Sequence, residues 1–118
     1  MSGICGFFGA GDPAWLDAML GAITYRGDTS CTVTEPRFGL GYRFWRGRPG
    51  KAQAIFAAAD GARTVAAGTL APVVADPAAV LDARLRAGDF IALDGAFCAA
   101  RVAADREELT LLRDPFGV

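Results

Sequence analysis

The chain has 118 residues, is 53% hydrophobic and sets twelve Lys+Arg against thirteen Asp+Glu for a net charge of -1, enough for one modest core and a single domain. That balance leaves no basic field to attract nucleic acid or an anionic membrane. Histidine is absent, which removes the usual base at neutral pH and the commonest metal ligand, and with them Ser-His-Asp and Cys-His catalysis within this chain.

In chain order, Ile4 to Phe8 is an apolar run closed by Gly9 and Gly11 and predicts a buried strand. The glycines from Gly6 to Gly11 lack the Lys-Ser/Thr ending of a phosphate cradle and read as a tight turn after that strand. Asp12 offers an N-cap and Pro13 a first helical position, after which Trp15, Leu16, Met19, Leu20 and Ile23 form one apolar stripe. This spacing predicts a helix over 13–24, with Trp15 as a core residue. Gly27-Asp28 breaks it, and the segments 31–34, 38–45 and 54–58 read as extended. Arg37, Arg43, Arg46, Arg48 and Lys51 form a local basic stretch, read as a solvated loop. Asp60-Gly61, between two apolar runs, signals a hairpin.

Asp76-Pro77 repeats the cap-then-proline signature, Val80, Leu81 and Leu85 give a buried face, and Gly88 is a stop, so a second helix is predicted over 77–87. Phe90 to Leu93, Phe97 to Val102 and Leu109 to Arg113 read as strands, with Phe97 in the core and Asp94-Gly95 as a turn. Mostly antiparallel strands with two helices make the fold class α+β. Cys5, Cys31 and Cys98 are odd in number and widely spaced, which favours free, buried or half-buried thiols over disulfides or zinc. With no leader-like start and no apolar run long enough to cross a bilayer, the expected location is cytoplasmic and away from membranes.

Five short blocks carry more. They are Ser2-Gly3-Ile4-Cys5-Gly6-Phe7-Phe8-Gly9, Tyr25-Arg26-Gly27-Asp28, Gly39-Leu40-Gly41-Tyr42-Arg43, Leu93-Asp94-Gly95-Ala96-Phe97 and the closing Leu111-Leu112-Arg113-Asp114-Pro115-Phe116-Gly117-Val118. In this order, and across almost the whole chain, they resemble the glutaminase-type (class II glutamine amidotransferase) domain of the asparagine synthetase family. The family counterparts are Cys-Gly-Ile-x-Gly, His-Arg-Gly-Pro-Asp, Gly-Leu-Gly-His-Arg-Arg-Leu and Leu-Ala-Arg-Asp-Arg-Phe-Gly-Val. The resemblance implies an N-terminal-nucleophile α/β/β/α sandwich of two antiparallel sheets flanked by helices, incomplete here at its C-terminus. It implies glutamine as substrate, no cofactor or metal in this chain, and a C-terminal synthetase domain or subunit that uses ATP and Mg.

In such domains a terminal cysteine, freed by removal of the initiator methionine, uses its own α-amine, of reference pKa about 8, as base and needs no histidine. Here the nucleophile position is Ser2, and a hydroxyl is far less acidic than a thiol. Cys5 lies inside the predicted strand, far from a free amine. The family arginine for the substrate α-carboxylate falls on Phe44, which has no donor for a bidentate contact. Arg43 faces the other side of the strand unless a bulge intervenes. The oxyanion-binding Asn-Gly block maps on Ala67-Gly68, which keeps only the glycine backbone donor.

By the same resemblance Arg26 and Gly27 brace the terminal residue, and Asp76 receives the glutamine amino group. An ordinary helix stop and an N-cap account for these residues equally well. The sequence therefore supports a degenerate glutaminase-type domain of an amide ligase. Its alternatives are a non-catalytic scaffold of an internal-amide-forming synthetase, such as a lasso-peptide cyclase or β-lactam synthetase, and a free-standing hydrolase using Ser2.

Overall fold

The computed structural model describes residues 2–89 and 93–114. Within them the strands are β1 (Gly3–Phe8), β2 (Thr29–Glu35), β3 (Phe38–Phe44), β4 (Phe56–Ala57), β5 (Arg63–Leu70), β6 (Gly95–Val102) and β7 (Leu109–Arg113). The helices are α1 (Ala14–Ala22) and α2 (Pro77–Ala87), with a 3-10 turn at Thr24–Arg26. Two antiparallel sheets result, ordered β1-β3-β2 and β4-β5-β6-β7, so the protein is α+β as the sequence predicts.

Alternation along β3 organises the layers. Phe38, Leu40, Tyr42 and Phe44 point into the core shared with Val65 and Ala67 of β5. Their neighbours Gly39, Gly41 and Arg43 face α1, as period-two geometry requires. A Cβ on Gly41 would stand 2.7 Å from the Cys5 sulfur and 3.4 Å from Leu20, so the missing side chain lets α1 settle on the sheet. Leu16 and Leu20 are buried there, each contributing about 1.5–3 kcal/mol.

On the second sheet α2 packs against β5 and β6 through a buried polar knot. Thr64 and Arg101, opposite one another on β5 and β6, both donate to one Asp82 carboxylate oxygen, at 3.1 and 2.8 Å. Arg86 bridges Asp82 to Asp60 in the β4–β5 turn. Helix α1 thus packs on the first sheet and α2 on the second.

Local signals worked where they had a backbone cause. Asp60-Gly61 forms the β4–β5 hairpin, with Gly61 at φ 98 and Asp60 accepting the Ala62 N–H at 3.0 Å. Helix α2 begins and ends where predicted, capped by Asp76 and closed by Gly88 at φ 68. Asp12 accepts the Ala14 N–H at 2.9 Å, but α1 stops at Ala22 and gives way to the 3-10 turn.

Trp15 corrects the reading of it as core: it is 51% exposed and makes a T-shaped ring contact with Phe7, at 5.6 Å between ring centres. The strand expected at Phe90 to Leu93 lies, for residues 90–92, outside the described residues, as do residues 115–118 of the closing block. Among the described residues no helix is long and apolar enough to cross a membrane.

Candidate functional site

Ser2 leads into β1, and alternation sends its side chain, like that of Ile4, toward the second sheet, while Gly3 and Cys5 face α1. Its Oγ accepts the Gly68 N–H of β5 at 3.1 Å. The Ser2 hydroxyl is also hydrogen-bonded to the Tyr42 phenol, whose own proton goes to the Ala52 carbonyl at 2.8 Å. A phenol has one proton to give. The Ser2 proton therefore points at Tyr42, and the chain runs from Gly68 N–H through Ser2 and Tyr42 to Ala52.

Gly68 is fitted to this task. Its φ of 103 lies in the region that favours glycine, and a Cβ there would stand 2.1 Å from the Ala96 carbonyl oxygen. Tyr42 is fully buried, and burial pushes its pKa up to about 12 against the opposing hydrogen bond from Ser2. The phenol thus stays neutral and is no base for the Ser2 hydroxyl.

Around this chain opens a cleft of about 540 Å3. Its walls are Ser2, Gly3 and Ile4, the end of the first helical segment at Ile23, Tyr25 and Arg26, Lys51 from the β3–β4 loop, and Ala67 to Thr69 facing Ala96 to Cys98. A smaller cavity of about 180 Å3 shares Ser2 and Lys51 and adds Phe44, Trp45 and Arg48.

The structure brings Ser2, Gly68 and Arg26 together. Arg26 Cγ lies 3.2 Å from where a Gly3 Cβ would sit, and its guanidinium stacks 5.1 Å over Tyr25. Gly27 does not line the cleft. A Cβ there would fall 2.3 Å from the Phe44 carbonyl group, so this glycine allows close backbone approach to β3. Its carbonyl accepts from Arg43 at 3.2 Å. Asp76 is likewise absent from the cleft wall; its carboxylate is engaged by the Ala79 N–H at 3.3 Å.

The β1–β3 register runs one to one as far as Arg43 and the β2–β3 register through Arg43 and Phe44, so no bulge turns Arg43 inward. Its Nε donates to the Leu20 carbonyl at 3.0 Å, on the α1 side. Phe44 stacks on Tyr42 at 4.7 Å and offers the cleft no donor. Arg43 and Lys51 depart from the solvated-loop reading of the basic stretch, since Arg43 is tied into β3 and Lys51 is half-buried between the two cavities.

Sequence reasoning passed over Tyr42, Lys51 and Cys98. Parity with Phe44 places Tyr42 on the inner face, but its bond to Ser2 depends on the spacing of two sheets, which no local pattern encodes. Cys98 lines the cleft, and burial outweighs the Ala67 backbone bond and the charge of Arg26 to raise its thiol pKa. Cys5 sits against α1, its pKa also raised by burial. All three cysteines are free and half-buried.

No carboxylate lines the cleft among the described residues, and the chain has no histidine. Among the described residues no three His, Cys, Asp or Glu side chains gather as a metal site. Family models, curated proteins and solved structures yield no match to this chain.

Proposed function

We propose that this chain is the glutaminase-type domain of an asparagine-synthetase-like amide ligase, with an N-terminal-nucleophile α/β/β/α architecture, whose own glutamine site is degenerate and non-hydrolytic. It supports a synthetase domain or subunit that uses ATP and Mg. The observation that carries this reading is the Gly68 N–H to Ser2 Oγ bond at 3.1 Å. It joins the residue at the family nucleophile position to the one backbone donor kept at the family oxyanion position, across two sheets and 66 residues.

That same bond argues against hydrolysis. An oxyanion donor works by waiting for charge that develops on substrate, and here it is engaged by the would-be nucleophile. The Ser2 proton is held by a neutral phenol, Phe44 stands where a carboxylate-pairing arginine is needed, and Ala67 supplies no amide donor. Loss of one such donor alone costs about 3 kcal/mol of transition-state stabilisation in well-measured enzymes.

Ammonia release from L-glutamine tests the reading. The protein and its Ser2→Cys variant are both expected to stay at the blank rate, because a thiol alone restores neither carboxylate pairing nor the second oxyanion donor. Glutamine hydrolysis by the unmodified protein would overturn it. Reading the coding sequence downstream of Val118 tests the ancestry, with a Ser-Gly-Gly-x-Asp-Ser pyrophosphate loop as the expected result.

A further inference from the structure

We infer that the Ser2 cleft is a binding site for a small carboxylate that lacks an α-ammonium group, seated on the Lys51 ammonium, and that it discriminates against zwitterionic amino acids such as glutamine. The inference takes the cleft from the reading above and deepens it by naming the ligand class. It is carried by charge and space alone.

Three features converge. The charged residues lining the two adjoining cavities are Arg26, Lys51 and Arg48, all cationic, with no carboxylate among the described lining residues. Such a pocket concentrates anions and repels ammonium groups. Asp76, the residue that resemblance assigns to a substrate amine, is on α2 and outside the wall.

Lys51 is the second feature. It is half-buried and lines both cavities beside Ser2. Its backbone groups are engaged by Arg48 and Gln53, yet its ammonium has no acceptor or carboxylate among the described residues. Burial lowers its pKa, so an arriving carboxylate gains a cation that no carboxylate among the described residues neutralises. Its position on the β3–β4 loop differs from that of Phe44 on β3, so this is a cation of different origin from the one the family pattern calls for.

Space is the third. A cleft of about 540 Å3 falls within the usual range of about 300–1,000 Å3 for small-molecule sites.

The test uses thermal melting and amide chemical-shift titration at constant ionic strength with glutarate, glutaramate, L-glutamine and inorganic phosphate. Glutarate and glutaramate are expected to raise the melting temperature and shift the Gly68 amide, with L-glutamine at least tenfold weaker and phosphate weaker still. Lys51→Met is expected to weaken glutarate at least tenfold, and Lys51→Arg to retain it. The inference is overturned if neither carboxylate binds, if glutamine or phosphate binds as well as glutarate, or if Lys51→Met folds and binds unchanged. Should Lys51→Met fail to fold, loss of glutarate protection against amine acylation of Lys51 in the unmodified protein decides against it. None of these readouts depends on ammonia release, so a hydrolytic protein and a non-binding one are told apart.

Discussion

Burial of the Tyr42 phenol, opposed by its hydrogen bond from Ser2, carries a cost that surfaces at high pH. A phenol ordinarily titrating at 10.0 is pushed up to about 12 in the fold. The folded protein therefore holds this proton more tightly than the unfolded chain does. Stability from this group is complete below pH 10 and is lost as pH rises toward 12, by roughly 2–3 kcal/mol. Denaturant unfolding at pH 9 and pH 11.5 should show this loss, and Tyr42→Phe should remove most of it; equal pH slopes in the two proteins would refute the assignment. Gly68 allows a second check at the same scale. Gly68→Ala drives a methyl against the Ala96 carbonyl at a positive φ, for which about 3 kcal/mol of destabilisation is expected by chemical denaturation. A variant as stable as the parent would mean that β5 and β6 yield more easily than their register implies.

At the scale of elements, α2 was legible at both ends because each end depends on one residue. Asp76 accepts the Ala79 N–H and Gly88 adopts a left-handed conformation, and both preferences are local. The reading of α1 was looser for a reason also visible in its residues. Trp15 shares the stripe of Leu16 and Leu20, but only those two are buried in α1, and periodicity alone cannot say how wide a stripe the partner covers. The site was half legible. Motif order brought out Ser2, Arg26 and Gly68, whereas Lys51 and Tyr42 reach the cleft through loop path and sheet spacing. Asp76 offered two roles, and the cap is the one the structure supports. Asp76→Ala should therefore cost about 1 kcal/mol of stability and leave glutarate binding at the Ser2 cleft unchanged. A selective loss of binding at full stability would return the residue to the site.

For the whole molecule, the feature that governs behaviour in solution is the side where β1 and β7 meet. Among the described residues β1 is an edge of its sheet and β7 an edge of the other. Between them lies an apolar groove of about 270 Å3 that includes Ile4, Phe8, Leu40, Ala100 and Leu111. Phe8 is 42% and Leu111 70% exposed. Unpaired strand edges present rows of free N–H and C=O groups, and an apolar border adds a drive to cover them. Elsewhere Arg106 bonds Glu35 at 2.6 Å and ties the β6–β7 loop to β2. Self-association of the 118-residue chain is therefore expected to run through the β1/β7 side. Sedimentation of this chain should reveal concentration-dependent oligomers, and Leu111→Lys should shift them toward monomer by placing a charge on the edge. A parent chain that is monodisperse and melts cooperatively would show the groove to be tolerated in water. In that case the two sheets would be held by the shared core, the Gly68–Ser2 bond and the Arg106–Glu35 pair, with no need of a cover.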